Sequence, residues 1–347
     1  MNGVPTSPRI GMFLPAHFPL DESATAGIDR MMTQVELAER SGFDSLLLGH
    51  HYLANTQFLQ PLSLAGFLAA NTTRIRLGFG VYLLPLVNPV QLAEELATLD
   101  ILSSGRIIAG FGAGYRQVEF DAAGVPFDER FARIDEYVPL LRSLWSGEAV
   151  TASGSFGSLT NAQIHLRPVQ PGGPPIWLGA FGDIGIRRCA RLDTPWLAAP
   201  EGTVTDLQDR LASYDRHLGD AGRTRPTTVP LLRELFVADT RAEAIEVARP
   251  HLEAQYRDYR TWKHGLGPDE LIADNAIVGD PEDVVQRLRE YAALGFTDII
   301  VRVQWAGLPF ERVMRGVELL GTEVLPALAD TTIGVAEPTI EMAEGRS

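Results

Sequence analysis

The feature that most constrains the fold is a repeated order of helix, short apolar strand and a strand end made of glycine or polar residues. In the second repeat, the run Leu46-Leu47-Leu48 stops at Gly49 and is followed by two histidines, His50 and His51. Strand starts recur about every 30 to 35 residues in the first part of the chain, roughly one βα unit each. Ionisable residues at the carboxyl ends of parallel strands would meet at one mouth of a barrel. The pattern therefore predicts an enzyme built on parallel βα units.

Eight strands follow from this alternation, which predicts an α/β fold, a (β/α)8 TIM barrel, with a doubly wound open sheet as the alternative. Insertions interrupt the rhythm after strands 4 and 7, at 146–173 and 262–279, and the first has the composition of a hairpin at the barrel rim. Asp280 opens the strongest helix start, followed by proline and two acidic residues. We expect one domain over 1–330 and a polar, disordered tail over 331–347. The predicted strands are 9–14, 44–48, 75–81, 106–109, 175–179, 196–198, 228–238 and 296–303.

Composition restricts the partners of the protein rather than its fold. The 347 residues are 45% hydrophobic and 21% charged, which is ordinary for a soluble globular protein. The net charge of -14 disfavours nucleic acid and anionic membranes, because both attract basic patches. We find no apolar run long enough for a membrane helix and no export signal at the N-terminus. The single cysteine, Cys189, cannot form an internal disulfide, so we expect a cytoplasmic protein.

The histidine pair after the second strand is the first candidate for chemistry. Neighbouring side chains on an extended strand face opposite sides, so only one of the two can point into the barrel mouth. A histidine at a strand's carboxyl end suits acid–base work near neutral pH, and we assign that role to His50 rather than His51. Tyr115 and Arg116, which follow the fourth strand, would add a hydroxyl and a cation at the rim and line the substrate side, with Arg116 binding substrate. A surface salt bridge between Arg116 and Glu119 is the alternative reading.

Glycines at three strand ends indicate a flat ligand close to the backbone. Gly80 lies inside an apolar strand, where glycine often marks a bulge or a nearby ligand. Gly112 belongs to a glycine-rich run that lacks the spacing of a dinucleotide fingerprint. The turn Gly179-Ala180-Phe181-Gly182 leads into a helix whose first amides could hold a phosphate, although a simple tight turn would use the same residues.

The eighth strand ends in a polar and aromatic segment that contains Arg302 and Trp305. Arg302 could bind a phosphate or a carboxylate, or form a buried ion pair with a neighbouring strand. Tyr52 and Trp305 are candidates for an aromatic substrate pocket. No cluster of His, Cys, Asp and Glu has the spacing of metal ligands, so we predict no metal site.

Taken in chain order, several segments resemble the bacterial luciferase-like family of flavin-dependent monooxygenases and F420-dependent oxidoreductases. Together they extend over roughly residues 9 to 325, and their combination is typical of that family without indicating a substrate. The segments are Leu48-Gly49-His50-His51-Tyr52, Thr73-Arg74-Ile75-Arg76-Leu77-Gly78, Leu83-Leu84-Pro85-Leu86-Val87-Asn88-Pro89-Val90, Ala93-Glu94-Glu95-Leu96-Ala97-Thr98-Leu99-Asp100, Ser104-Gly105-Arg106, Gly114-Tyr115-Arg116 and Pro174-Pro175-Ile176-Trp177-Leu178-Gly179.

The resemblance implies a luciferase-like barrel that holds reduced FMN at its carboxyl-terminal mouth. It implies that His50 lies at the family's active-site histidine and that Gly80-Val81 is a non-prolyl cis peptide behind the flavin ring. The turn from Gly179 to Gly182 would bind the cofactor phosphate. We expect a flavin monooxygenase that uses O2 on a small organic substrate, with Tyr115 acting beside His50. We also expect a homodimer and, as one option, a separate flavin reductase.

Two departures from the family pattern keep other readings open. Gly49 stands where related sequences often have an acidic residue, and Gly112 and Ala113 stand where luciferase places a cysteine and its phosphate-binding arginine. An F420-dependent oxidoreductase that transfers hydride is therefore the first alternative. A non-catalytic flavin-binding paralogue is the second. We expect the two insertions to act as a lid over the mouth.

Overall fold

The computed structural model describes residues 7–257 and 271–329 of the chain. Strands and helices alternate through the described residues. The strands are β1 Arg9–Leu14, β2 His17–Phe18, β3 Ser45–Leu48, β4 Gln57–Phe58, β5 Arg76–Phe79, β6 Tyr82–Leu83, β7 Ile107–Gly112, β8 Val150–Gly154, β9 Gly157–Ala162, β10 Ile176–Ala180, β11 Trp196–Ala198, β12 Pro230–Val237, β13 Ile277–Gly279 and β14 Asp298–Arg302. The helices are α1 Ala24–Ser41, α2 Pro61–Asn71, α3 Pro89–Leu102, α4 Gln117–Ala123, α5 Arg130–Ser146, α6 Asp183–Arg191, α7 Val204–Asp220, α8 Arg241–Arg257, α9 Pro281–Leu294, α10 Phe310–Leu319 and α11 Leu325–Ala329.

Eight of the strands form a closed parallel barrel. Their order around the barrel is β1, β3, β5, β7, β10, β11, β12 and β14, and β14 pairs with β1 to return to the start. Closure on the other side comes from β7 and β10, where Ala109 lies opposite Ile176. This confirms the predicted TIM barrel and excludes the open sheet, which would leave β7 and β10 as separate edges. Each predicted strand corresponds to one barrel strand, and the bounds of β1 and β11 agree fully.

Side chains alternate between the barrel interior and the layer of helices outside it. The interior packing consists of one apolar residue from most strands, with the half-buried side chain of Val81 at its edge. Residues of opposite parity, such as Leu46 and Leu48, belong instead to the larger core between strands and helices. Both faces of the strands are therefore apolar, as expected for parallel strands covered by helices. The interior residues are Leu47, Ile108, Trp177, Leu197, Leu232 and Ile300, packed with Phe13 and Val81.

A network of charges holds together the amino-terminal end of the barrel. The carboxylate of Asp298, at the start of β14, is 1% exposed and accepts hydrogen bonds from Arg9 Nη2 at 2.6 Å and from Arg76 Nη2 at 3.0 Å. Burial alone would raise the pKa of Asp298, but the hydrogen bonds and charges of Arg9 and Arg76 outweigh it and lower the pKa. Arg9 lies on β1 and Arg76 on β5, so the network connects these two strands to β14, the last strand of the barrel.

The first insertion forms a hairpin, as predicted, but it does not cover the mouth. Strands β8 and β9 pair antiparallel, and the tip of the hairpin lies on the outer side of α5. The amide of Ser155 donates to Glu136 Oε1 at 2.9 Å, and Phe156 packs edge-on against Tyr137. The expected lid function is therefore wrong for the first insertion. Of the second insertion, residues 258–270 lie outside the described residues.

Several short elements were absent from the sequence prediction. The two-residue strands β2, β4 and β6, and the helix α4, each follow the carboxyl end of a barrel strand. Residues 271–279, predicted as loop, contain a π-helical turn and strand β13, which pairs with β12. The predicted start of α9 is confirmed, since Asp280 caps the helix and exchanges hydrogen bonds with Asp283 in a capping box. Residues 331–347 lie outside the described residues, so the domain boundary at 330 stays a prediction.

Candidate active site

The two histidines after β3 have different surroundings. Strand β3 ends at Leu48, and both histidines lie in the segment that follows it. His50 is 3% exposed, whereas the side chain of His51 is 29% exposed. His50 is therefore enclosed by protein and His51 is partly open, and the catalytic role expected of His50 stays a prediction.

His50 lies between two tyrosine rings. Its ring stacks on Tyr82 with centroids 4.2 Å apart and meets Tyr52 edge-on at 4.6 Å. Nδ1 accepts a hydrogen bond from the amide of Leu83 at 3.1 Å, so this nitrogen carries no proton. Burial, with a smaller contribution from the charge of His51, lowers the pKa of His50 to about 4. His50 is consequently neutral at pH 7. Its Nε2 is buried and has no hydrogen-bond partner among the described residues.

His51 is held by a buried carboxylate that comes from the next-but-one strand end. Nδ1 of His51 lies 2.9 Å from Oε1 of Glu119, which is 1% exposed and belongs to α4 after β7. The same oxygen accepts from the amide of Tyr52 at 3.0 Å and from Nη1 of Arg116 at 3.0 Å. Burial alone would raise the pKa of Glu119, but the hydrogen bond and charge of His51, the Tyr52 amide and Arg116 together lower it. Glu119 therefore stays ionised and selects the His51 tautomer with the proton on Nδ1.

Arg116 and Tyr115 play different parts at the rim. Arg116 donates to the carbonyls of Tyr52 at 2.8 Å and Leu53 at 3.0 Å, in addition to Glu119, so it fixes the loop after β3. The alternative reading of a salt bridge between Arg116 and Glu119 is confirmed, but the carboxylate is buried rather than on the surface. Tyr115 is 48% exposed and meets the ring of His51 edge-on, with centroids 5.8 Å apart. Tyr115 is thus available to a ligand beside His51.

The floor of the mouth is made of glycine backbone and one aliphatic side chain. The peptide Gly80-Val81 is cis, as expected from the resemblance. A Cβ atom added at Gly112 would lie 2.4 Å from Cγ2 of Val81, and one added at Gly179 would lie 2.9 Å from Cγ1. The isopropyl group of Val81 therefore fits between β7 and β10 only because residues 112 and 179 are glycine. The half-buried Val81 gives a floor without polar side chains, which suits a flat ring.

The turn after β10 leads into a helix whose first amides are not capped by a side chain. Gly182 is the N-cap residue of α6 in an extended conformation, and its Cβ position faces open space. The carbonyl of Ala180 accepts from Nε1 of Trp196 at 2.8 Å, and Phe181 is 38% exposed with the guanidinium of Arg210 4.4 Å above its ring. The turn has a neighbouring cation, and no side chain caps the helix, whose Gly185 amide donates to the carbonyl of Gly182 at 2.9 Å. These properties fit a phosphate group.

The opposite side of the mouth contains a buried acid that sequence reasoning missed. Glu234 on β12 is 0% exposed and lies 3.1 Å from Nη2 of Arg302 on β14. Nε1 of Trp305 donates to the other carboxylate oxygen of Glu234 at 2.5 Å. Of the three roles considered for Arg302, the buried ion pair with a neighbouring strand is the one found. The indole of Trp305 is buried and bonded to Glu234, and its predicted contact with substrate stays a prediction.

The described part of the chain contains neither a group of metal ligands nor a membrane-spanning helix. Among residues 7–257 and 271–329, no three His, Cys, Asp or Glu side chains are grouped to hold a metal ion. Within the same ranges, no helix has both the length and the apolar character needed to cross a bilayer.

A closed (β/α)8 barrel with an ionisable cluster and a flat glycine floor at its carboxyl-terminal mouth defines an enzyme for a planar cofactor. Residues 8–298 match the family model described as luciferase-like monooxygenase, and the chain belongs to that family. Its relatives include enzymes that are named as flavin-dependent or as F420-dependent, and this protein is an oxidoreductase of the same kind.

Three relatives illustrate the range of the family. The oxygenase component of flavin-dependent trigonelline monooxygenase from Acinetobacter baylyi is 25% identical over 340 residues, covering 90% of this chain and 93% of the relative. An F420-dependent glucose-6-phosphate dehydrogenase from Nakamurella multipartita is 30% identical over 319 residues, covering 84% and 90%. The crystal structure of monooxygenase RslO1 from Streptomyces bottropensis superposes with a TM-score of 0.80 at 27% identity, covering 92% and 99%.

Proposed function

We propose that this protein is the oxygenase component of an FMN-dependent monooxygenase that acts on a small organic molecule. The observation that carries the proposal is the floor formed by Gly80, Val81, Gly112 and Gly179 at the same end of the barrel as the His51–Glu119 pair. A flat ring can lie on this floor with a histidine at its edge. Bound reduced FMN would supply the two electrons that let O2 place one oxygen atom in the substrate and the other in water.

The residues that would hold the cofactor fall into two groups. Gly80, Val81 and Gly112 would contact the ring, and the turn from Gly179 to Gly182 would bind the phosphate through the first amides of α6. Arg210, which lies over Phe181, supplies a positive charge near that turn and offsets the missing arginine at Ala113. Ala180 and Phe181 would line the approach to the phosphate.

The acid–base work would fall to His51. Because Nδ1 of His51 donates its hydrogen bond to Glu119, Nε2 is the nitrogen that would exchange a proton at the mouth. Glu119 acts as a positioning residue, since it reaches the reaction only through His51. Tyr115 is the hydroxyl beside His51 on the substrate side. His50, neutral and buried, would orient the segment of β6 through the Leu83 amide.

Reduced FMN has to come from another protein if the flavin is not held permanently. A relative described as an oxygenase component supports a separate reductase. F420-dependent hydride transfer is the second candidate function, because a relative of 30% identity is an F420-dependent dehydrogenase. FMN is favoured by charge: F420 carries several carboxylates in addition to a phosphate, and a chain of net charge -14 is a poor match for them. The homodimer and the cytoplasmic location stay predictions.

Calorimetric titration under anaerobic conditions tests the proposal. We expect the protein to bind reduced FMN more tightly than reduced F420. The variant Gly179→Ala should weaken FMN binding roughly 10-fold, about 1.4 kcal/mol, because the added methyl group pushes Val81 out of the floor. Gly219→Ala in α7, where an added Cβ meets nothing within 4 Å, is the matched control and should bind as the parent does. Tight binding of F420 with no binding of FMN would refute the proposal and support hydride transfer.

A further inference from the structure

Arg210 on α7 lies beside the turn that the proposed function assigns to the cofactor phosphate. Its guanidinium is 4.4 Å from the ring centroid of Phe181, which belongs to the turn from Gly179 to Gly182. Nη1 donates to the carbonyl of Glu201 at 2.9 Å. Among the described residues, this is the only hydrogen bond that the guanidinium makes, and none of their carboxylates forms an ion pair with it. A guanidinium has five N–H groups, so most of them are left for a ligand.

The loop that holds Arg210 is fixed by a second arginine, which is fully buried. Arg233 on β12 is 0% exposed. Its Nη1 donates to the carbonyl of Pro200, and its Nη2 donates to the carbonyl of Gly202 at 2.9 Å. The carbonyl between these two is that of Glu201, which accepts from Arg210. Three successive carbonyls thus bind the two arginines in alternation, so a change at Arg233 would move the acceptor that holds Arg210.

Gly202 allows the loop and the guanidinium of Arg210 to approach closely. Its φ of +116° lies in the region that favours glycine. A Cβ atom added at this position would lie 3.0 Å from Nη1 of Arg210 and 3.2 Å from Cβ of Asp206. The place of the Arg210 guanidinium therefore depends on glycine at 202 as well as on the buried Arg233.

The charge of the protein makes a local cation necessary if a phosphate is to bind at this turn. A phosphate monoester carries about 1.5 to 2 negative charges at pH 7, and the whole chain has a net charge of -14. Asp183, the first residue of α6, brings a further negative charge close to the turn. Its carboxylate accepts from the hydroxyl of Ser213 and lies 3.0 Å from Nε2 of His217, so side chains of α7 already bind it. Arg210 is the cation beside the turn that can compensate a phosphate.

We propose that Arg210 binds the phosphate of the cofactor and makes the site specific for a phosphorylated flavin, and that Arg233 is a positioning residue that acts through Arg210. This inference rests on the proposed FMN-dependent function and specifies which side chains recognise the phosphate. The planar guanidinium can donate to two phosphate oxygens at once, and hydrogen bonds between charged groups are roughly twice as strong as those between neutral groups. Riboflavin, which lacks the phosphate, would bind through its ring alone.

Anaerobic calorimetry of the full chain with reduced FMN and reduced riboflavin tests the role of Arg210, because the two ligands differ only in the phosphate. The parent protein should bind FMN roughly 10-fold or more tightly than riboflavin. Arg210→Gln should remove most of this preference by weakening the binding of FMN alone. Arg210→Lys, which keeps the charge but loses the planar fork, should retain part of it. Arg40→Gln removes an exposed arginine from the last turn of α1 and is the matched control.

Two changes to the loop test the positioning role of Arg233. Arg233→Lys and Gly202→Ala should each lower the preference for FMN several-fold while the affinity for riboflavin stays the same. Neither change should lower the preference further in a chain that already carries Arg210→Gln, since both act through that side chain. Gly222→Ala is the matched control for Gly202→Ala, because the φ of Gly222 is also positive, at +68°, and an added Cβ there meets nothing within 4 Å.

The outcomes separate this inference from the proposed function. Equal affinity of the parent for FMN and riboflavin, or an equal loss of both in Arg210→Gln, would overturn the role of Arg210 even though a flavin binds. A further loss of preference when Arg233→Lys is added to Arg210→Gln would overturn the positioning role. Gly202→Ala provides the same comparison if Arg233→Lys does not fold. A parent protein that binds neither reduced flavin would instead refute the proposed function, and this inference with it.

Discussion

At the scale of single residues, the pairing of His51 with Glu119 is the centre of the account. Three donors converge on one buried carboxylate oxygen, from the His51 ring, the Tyr52 amide and Arg116. Such a carboxylate fixes both the tautomer and the orientation of the imidazole without touching the substrate. We propose that a histidine held in this way transfers protons at the mouth.

We predict that His51→Asn lowers turnover about 100-fold or more, because general acid–base groups contribute typically 10²- to 10⁴-fold. Glu119→Gln keeps the shape of the side chain and should lower turnover less, since His51 remains but loses its fixed tautomer. FMN affinity should change little in either variant. The measurement is kcat together with the Kd for reduced FMN.

His165→Asn, at an exposed histidine away from the mouth, serves as the control. Unchanged turnover in His51→Asn, together with complete loss in a His50 variant that still folds, would restore the original assignment to His50.

His50 makes a separate prediction about stability and pH. Its pKa is about 4 in the folded protein and near 6.5 when unfolded, so the unfolded chain binds the extra proton between these values. The free energy of unfolding should therefore be highest above about pH 6.5 and fall by about 3 kcal/mol as the pH drops to about 4. Urea unfolding at several pH values measures this loss. In His50→Asn, which does not titrate, the slope in that window should be shallower, and an unchanged slope would refute the prediction.

At the scale of secondary structure, the elements that carry a clear pattern were predictable and the two-residue elements were not. The barrel strands are apolar runs bounded by turn residues, and α9 has a capping signal, so both were identified from sequence. Strand β7 extends to Gly112 although its glycines suggested a loop. Gly110 lies within the strand, where it pairs with Trp177. Only glycine fits there, because an added Cβ atom would lie 1.7 Å from the carbonyl oxygen of Phe79. Strands of two residues, such as β2 and β4, are too short to show a period.

Two features of the site could not be read from the sequence: which histidine faces inward, and the pairing of Glu234 with Arg302. Leu46, Leu47 and Leu48 are all apolar because parallel strands are buried on both faces, so no alternation reveals which histidine faces inward. The pairing of Glu234 with Arg302 depends on β12 and β14 being neighbours in the closed barrel, which residue spacing does not reveal. The glycines at 80, 112 and 179 were identified because glycine has few other uses inside a strand.

At the scale of the whole molecule, the barrel separates stability from chemistry. The network around Asp298 lies at the amino-terminal end, and the histidines, glycine floor and phosphate turn lie at the carboxyl-terminal end. Asp298→Asn should therefore lower the free energy of unfolding by about 2 kcal/mol, less than for a fully buried pair, because Arg9 and Arg76 are each about a third exposed. FMN binding should be unchanged. Chemical denaturation and calorimetry measure the two effects, and a large loss of FMN affinity would show that the two ends are coupled.

The central claim is that the mouth binds reduced FMN and controls its reaction with oxygen. The most direct measurement is to mix the anaerobic complex of the protein and reduced FMN with oxygenated buffer and follow the absorbance of the flavin. We predict that re-oxidation in the complex differs clearly in rate from that of free reduced FMN, and that His51→Asn changes this rate while the flavin stays bound. Re-oxidation at the rate of free flavin, in parent and variant alike, would contradict the account.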